Sequence, residues 1–231
     1  KIKFFIFTTK KMFKGHCFPK AIILQAVYFK LRFSLSYRDV EELLSIRGVK
    51  VDHATIQRWV FKFTPLVEQQ FRNRKKLVGK RWRLDETYIK VKGEWRYLYR
   101  AVDKEGNTVD FLLTKRRQRI SAQKFLIKAI ENNVNPELIN IDKSGANKAA
   151  IKLYNRRNYS NIKIRQCKYL NNIVEQDHRM IKWRIMLGLG FKEFESAKRT
   201  ISGIEVVRMI KKNQLVNPES STYKSFISLA S

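Results

Sequence analysis

Apolar positions in the first third of the chain recur with the spacing of helices. Residues 21–33 predict a strongly apolar helix, and Ser36 begins a second one, with Asp39 three positions later as in a capping box. Gly48 lies where a helix end needs a positive φ, and Asp52 caps a third helix. Two short helices joined by a glycine-containing turn form a helix-turn-helix, whose second helix enters the DNA major groove.

The predicted third helix has an apolar face and a polar face. The polar side chains suit base edges and phosphates, and they are His53, Thr55, Gln57, Arg58 and Lys62. The same pattern also fits a plain helical hairpin with a solvated outer face. The pattern alone does not separate these two interpretations.

From residue 82 onward the period changes to that of strands. Three strands separated by short turns are predicted as an antiparallel meander, at residues 82–91, 95–102 and 108–114. Helices and strands then alternate, with Ser121 as a helix cap: helix 121–132, strand 138–142, helix 146–155, strand 162–165, helix 170–187 and helix 197–212. The sequence therefore predicts an α/β fold with a mixed sheet and flanking helices, preceded by a small all-α domain.

Charge identifies the kind of partner. The 231 residues include 49 Lys and Arg but only 20 Asp and Glu, for a net charge of +29. This excess predicts a polyanionic partner, nucleic acid first. Hydrophobic residues make up 44% of the chain, enough for a buried core. No apolar run approaches the ~20 residues of a membrane helix. Two cysteines cannot form a disulfide framework, so we expect a cytoplasmic protein.

The uneven distribution of charge suggests the domain borders. Residues 71–83 carry seven basic side chains and no acid, as in a basic connector. The last residues are rich in Ser and Thr and read as a tail. The predicted organisation is a DNA-binding helix-turn-helix region at 1–70, a basic connector at 71–80, a catalytic domain at 81–214 and a polar tail at 215–231.

Three acids stand out from the others. Asp85 lies in the middle of a predicted strand, where aspartate is unfavourable. Asp142 ends an apolar strand, where ligands of α/β sheets collect. Glu175 lies on a long helix, and no other acid separates it from Asp142. Carboxylates are ligands that Mg²⁺ prefers, and two such ions promote phosphodiester chemistry. Ion pairs with the abundant Arg and Lys are the alternative explanation.

Around these acids the sequence resembles family six of the bacterial insertion-sequence transposases. The similarity runs from about residue 18 to residue 214. The stretches that carry it are 84–95 (LDETYIKVKGEW), 97–103 (YLYRAVD), 141–143 (IDK), 168–179 (KYLNNIVEQDHR) and 190–192 (GFK), with 35–43 and 55–60 in the helix-turn-helix.

The resemblance implies a ribonuclease-H-like core with a DDE triad. It assigns catalysis and metal binding to Asp85, Asp142 and Glu175, with two Mg²⁺ ions for which Mn²⁺ substitutes. It implies cleavage at terminal inverted repeats followed by strand transfer, and it adds replicative transposition with cointegrates. Further DNA contacts are expected from Lys143, His178, Arg179 and Lys182.

Double-stranded DNA is the expected partner, bound by a homodimer or higher oligomer, with no membrane and no small-molecule cofactor. Two rival functions remain open at this point. One is a helix-turn-helix DNA-binding regulator without catalysis. The other is a ribonuclease-H-like nuclease or resolvase, which cuts strands but never joins them.

Two expectations concern neighbours of these motifs. Asp177 falls on an apolar stripe of its helix, so its carboxylate should face the interior and be paired. The aromatic residues Trp95, Tyr97 and Tyr99 are expected in the core rather than as stacking surfaces for bases.

Overall fold

A computed structural model describes residues 13–142, 145–187 and 190–230 of the chain. Its elements, in chain order, are α1 Lys20–Arg32, α2 Tyr37–Ile46, α3 His53–Asn73, β1 Arg81–Val91, β2 Glu94–Asp103, β3 Thr108–Thr114, α4 Arg119–Glu131, β4 Leu138–Ile141, α5 Gly145–Asn158, β5 Lys163–Gln166, a 3₁₀ helix Lys168–Asn171, α6 Asn172–Leu187, α7 Phe194–Lys211 and α8 Thr222–Ser228. No helix in these described ranges is long and apolar enough to cross a membrane.

The chain divides into two compact units. One joins the residues up to Arg74 with those from Arg199 onward, and the other runs from Lys75 to Lys198. We refer to them as the helical unit and the sheet unit.

The helical unit contains the predicted helix-turn-helix. The side chain of Ser36 accepts from the Asp39 backbone N–H, and the Asp39 side chain accepts from the Ser36 backbone, which completes the capping box. Gly48 has a φ of 77° in the turn that follows α2. Asp52 caps α3 by accepting from the backbone of Ala54 and Thr55. These predicted helix starts and the predicted turn are confirmed.

Helix α3 continues past a proline in its interior. Pro65 has no N–H, so it leaves the carbonyl of Phe61 without its usual partner within the helix. The Arg199 guanidinium donates to that carbonyl at 2.7 Å and lies 3.6 Å from the centre of the Phe61 ring. The start of the C-terminal segment is thereby attached to α3.

The prediction of a polar tail at 215–231 is wrong for the described residues. Ser221 caps α8 by accepting from the Lys224 N–H, and Phe226 is fully buried, with its ring centre 5.4 Å from that of Tyr28. The predicted catalytic border at 214 also differs, because residues from Arg199 onward group with the helices of the other unit. The prediction failed because the many Ser and Thr residues of this segment indicated a solvent-exposed tail, although it contains the buried Phe226.

The borders around the predicted connector also shift. Helix α3 continues to Asn73, and Lys75 already belongs to the sheet unit, where its ammonium donates to Asn133 Oδ1 at 2.9 Å. Ser121 does not cap α4; its hydroxyl donates instead to the Arg116 carbonyl at 2.8 Å, and α4 begins at Arg119.

The sheet unit has a five-stranded mixed sheet with the strand order β3-β2-β1-β4-β5. The meander β1-β2-β3 is antiparallel, whereas β4 is parallel to β1 and β5 is parallel to β4. One face packs on α4 and α5 around a core that includes Trp82, Leu84, Tyr99, Phe125 and Ile139. Helix α6 packs on β1 and β2. This is the predicted ribonuclease-H-like fold.

Candidate active site

Two of the three acids lie just beyond the pairing of two parallel strands. Strand β4 pairs with the start of β1, and the last pair is Arg83 with Asn140. Asp85 on β1 and Asp142, which directly follows β4, are each two residues beyond this pair, the spacing that returns a side chain to the same face of a sheet. Neighbouring strands are about 4.8 Å apart. The parallel pairing therefore brings together two acids that are 57 positions apart in the sequence (142 − 85).

The third acid comes from the helix that packs on these strands. Val174 and Ile181 are fully buried and attach α6, while Glu175, next to Val174, is exposed in the first turn. Its charge acts on Asp85, as does the charge of Asp142. The three acids of the sheet unit thus lie close enough for the charges of Asp142 and Glu175 to act on Asp85.

The environment of Asp85 makes its charge costly. Its side chain is only 17% exposed, and burial is the largest of the causes that together raise its pKa to about 7. The Glu86 backbone N–H bonds to the carboxylate and lowers this pKa, whereas the charges of Asp142, Glu175 and Glu86 contribute to raising it. A bound divalent cation would relieve this repulsion, because it compensates several carboxylates at once.

The donor set therefore fits a hard cation such as Mg²⁺, which prefers carboxylate oxygens. Among the described residues, the one set of three candidate ligands whose atoms all lie within 4.8 Å of one another is Glu41, Asp52 and His53 in the helical unit. The oxygens of the three acids in the sheet unit are spaced more widely than that. The set in the helical unit serves a structural purpose, since Glu41 accepts from both the backbone and the ring of His53.

His178 lies in the site, next to Asp85. Only 6% of its side chain is exposed, and its Nδ1 is 3.4 Å from Asp85 Oδ2. Its ring therefore faces the Asp85 carboxylate, and the predicted phosphate contact of His178 stays a prediction. Arg179 and Lys182 are exposed on α6, as their predicted role requires. Lys143 lies outside the described residues.

A buried ion pair holds α6 against the sheet. Arg100 on β2 is fully buried, and its Nη2 donates to Asp177 Oδ2 at 2.9 Å. The expectation that Asp177 faces inward and is paired is confirmed. The sequence did not identify Arg100 as the partner, because the sequence around an arginine in a strand does not show whether its side chain is buried. Arg100 also lies opposite Asp85 in the β1–β2 register, so this pair lies beside Asp85 on the same face of the sheet.

A second ion pair lies beside the acids on the same strand. The carboxylate of Glu86 pairs with Arg117, whose Nη1 is also 3.4 Å from Tyr88 Oη. Burial raises the pKa of Glu86 and the Arg117 charge lowers it, while Asp142 raises it again. Arg117 belongs to the loop between β3 and α4, and only the basic character of that loop was visible in the sequence.

In the helical unit, three of the five predicted DNA contacts are presented to solvent. Gln57, Arg58 and Lys62 are exposed on α3. Thr55 accepts from Arg58 Nη2 at 3.0 Å, and His53 is occupied by its ion pair with Glu41. The outward face of α3 is therefore narrower than predicted, because its first residue serves the contact with α2.

Comparison with known proteins decides the family. Residues 79–214 match the DDE domain of IS240-type transposases. The chain belongs to the DDE transposases of insertion sequence family six. The transposase is 40% identical over 207 residues to the transposase for insertion sequence-like element IS431mec of Staphylococcus aureus strain N315, covering 87% of this chain and 90% of that protein. The transposase for IS257 in transposon Tn4003 of Staphylococcus aureus has the same identity and coverage.

Solved structures similar to the transposase are integrase assemblies and cores. The HTLV-2 integrase catalytic core domain in complex with magnesium, in its trimeric form, has a TM-score of 0.47 and 16% identity, covering 68% of this chain and all of that one. The simian T-cell lymphotropic virus intasome in complex with PP2A regulatory subunit B56 gamma also has a TM-score of 0.47 and 16% identity, covering 66% of this chain and 56% of that one.

Proposed function

We propose that Asp85, Asp142 and Glu175 are the catalytic acids of this DNA transposase and that together they hold two Mg²⁺ ions. The observation that carries this is their convergence, which is close enough for two of the acids to raise the pKa of the third. Bound divalent ions would activate the attacking oxygen and stabilise the leaving oxygen of a phosphodiester. Mn²⁺ has the same preference for oxygen ligands and would substitute.

The proposed reaction has two phosphoryl transfers. In the first, a water oxygen bonds to phosphorus at an element end and the bond to the 3′ oxygen breaks, which leaves a 3′ hydroxyl. In the second, the oxygen of that hydroxyl bonds to the phosphorus of a target phosphodiester, and the bond from this phosphorus to the target's 3′ oxygen breaks, which leaves a 3′ hydroxyl on the target strand. His178 orients the Asp85 carboxylate, and the exposed Arg179 and Lys182 are suited to hold the phosphates of the strand.

The helix-turn-helix is proposed to select the ends of the element. Its exposed Gln57, Arg58 and Lys62 have donors that suit base edges and phosphates. Lys143 remains a proposed DNA contact next to Asp142. We further propose that the transposase acts as a homodimer or higher oligomer in the bacterial cytoplasm, since two element ends have to be cut and joined.

A joining assay separates this function from its two rivals. The full chain is incubated with duplex DNA carrying the inverted repeats that flank its gene, a target duplex, and either Mg²⁺ or EDTA. We expect metal-dependent nicks with 3′ hydroxyls, followed by products in which an end is covalently joined to the target. Binding without nicks would favour a regulator, and nicks without joined products would favour a nuclease or resolvase.

A further inference from the structure

An exposed aromatic surface lies at the hairpin end of β1 and β2. Trp95 is 58% exposed and Tyr88 is 42% exposed, so the expectation that Trp95 is in the core is wrong. Tyr97 lies beside them, opposite Tyr88 in the strand register. The rings meet edge to face rather than stacked: Tyr88 and Trp95 are tilted by 78° and Tyr88 and Tyr97 by 62°. We call Tyr88, Trp95 and Tyr97 the aromatic platform.

The platform forms the wall of a groove whose other side is α6. Two adjoining cavities of about 350 and 480 Å³ are lined by Tyr88, Trp95 and Lys182, and the smaller one also by Met186 and Gly190. The exposed Lys90 places its ammonium 5.7 Å from the centre of the Trp95 ring. The groove thus combines aromatic surfaces with ammonium groups, and no acid is among the described residues that line the two cavities.

The groove begins a short distance from the catalytic acids on both elements that form it. Tyr88 is three residues after Asp85 on β1, a rise of about 10 Å, and this odd spacing places the two side chains on opposite faces of the strand. Lys182, which lines both cavities, is seven residues after Glu175 on α6, also about 10 Å and two turns later on the same helix face. At about 3.4 Å for each stacked nucleotide, a strand with its phosphate at Glu175 would reach the groove beside Lys182 within about three nucleotides.

We propose that the aromatic platform stacks a nucleobase that has left the duplex close to the phosphodiester being cut. This inference rests on the proposed function only for the position of that phosphodiester. An aromatic face accepts any base, because every base has a π-face, while lysines track the backbone. The groove is flanked by ammonium groups on a molecule of charge +29. The negative charge of DNA is complementary to this surface, whereas a second copy of this positively charged chain would be repelled.

The test compares a base-bearing strand with a strand that has no bases. Binding of the full chain to single-stranded oligothymidine, and to an abasic deoxyribose-phosphate strand of equal length, is measured without Mg²⁺ so that no strand is cut. We expect the native chain to bind oligothymidine about 10- to 100-fold more tightly than the abasic strand. Trp95→Ala should remove most of this ratio, and Trp95→Phe should keep it because a ring remains.

Control variants show whether a change in the affinity ratio is specific to the aromatic platform. Tyr159→Ala removes a fully exposed aromatic residue at the end of α5 and should leave the ratio unchanged. Tyr88→Ala should lower the ratio independently of Trp95. An unchanged ratio in both Trp95→Ala and Tyr88→Ala would overturn the proposal. So would a Trp95→Ala variant that loses self-association in sedimentation yet keeps the ratio, since the groove would then be a contact between copies.

The same preparations are assayed for nicking of element ends with Mg²⁺. Nicking by the native chain together with equal affinity for the two strands would reject the platform and leave the transposase function intact. A base-dependent ratio that Trp95→Ala removes would support the platform even where no end is nicked, and the missing nicks would then count against the catalytic proposal alone.

Discussion

At the scale of single residues, the site depends on charges that are compensated in different ways. Asp177 is compensated by Arg100 and Glu86 by Arg117, so each has a fixed basic partner. Asp85 lies beside His178 instead, and its pKa rises to about 7 through burial first and then through Asp142 and Glu175. An acid in this environment is suited to bind a cation from solution, whereas the acids paired with arginine are suited to stabilise the fold.

This difference predicts opposite effects for two acids on α6. Asp177→Asn leaves the buried Arg100 charge without its partner carboxylate, so the free energy of unfolding should fall by about 3–5 kcal/mol. Glu175→Gln changes an exposed side chain and should shift it by less than about 0.5 kcal/mol while removing strand cleavage. Urea unfolding and a nicking assay on both variants test this. An inactive but fully stable Asp177→Asn beside an active Glu175→Gln would reverse the assignment.

At the scale of elements, sequence patterns predicted whatever depends on local chemistry. The meander β1-β2-β3 follows from alternation and turn residues, and the starts of α2 and α3 follow from their caps. What sequence could not give depends on distant partners. Helix α3 continues past Pro65, where Arg199 bonds to the Phe61 carbonyl, and α8 packs through Phe226 on Tyr28. Trp95 was predicted in the core because the local sequence does not indicate which part of the sheet is left without a helix packed on it.

Close packing of α7 in the helical unit gives a stability prediction. A Cβ added to Gly203 would lie 2.6 Å from the Leu31 side chain and 2.8 Å from that of Thr64, both buried. Gly203→Ala should therefore lower the free energy of unfolding by about 1–3 kcal/mol. Gly145→Ala, at the start of α5 with open space around it, is the control and should leave stability the same or slightly higher. Equal stability of the two variants would mean that α7 is not packed this closely.

The exposed face of α3 gives a prediction about recognition. Gln57→Ala with Arg58→Ala removes two exposed donors, so the ratio of affinities for element ends and random duplex should fall toward one. Gln69→Ala with Arg38→Ala makes the same change of charge at other exposed positions and serves as the control. Competition binding at a fixed salt concentration measures both. If the first pair keeps the native ratio, another element reads the ends.

At the scale of the whole molecule, the net charge of +29 dominates the encounter with DNA. Phosphate contacts release counterions, so affinity for random duplex should fall steeply with salt. With six to ten contacts, the loss from 50 to 200 mM salt is about 10³- to 10⁵-fold. Filter binding or anisotropy over that range measures the slope. An affinity that does not depend on salt would contradict this electrostatic account, whatever the fate of the catalytic acids.

Catalysis by this transposase is proposed to need all three acids together, and one measurement tests this directly. Cleavage of element-end DNA in Mg²⁺ is compared for the native chain, Asp85→Asn, Asp142→Asn and Glu175→Gln, with Glu131→Gln as an exposed control acid in the same unit. Each of the three amides keeps its size but loses the charge that a divalent ion needs. We expect no cleavage by any of the three variants, with end binding nearly native, and native cleavage by the control. Native-rate cleavage by any one of the three would contradict it.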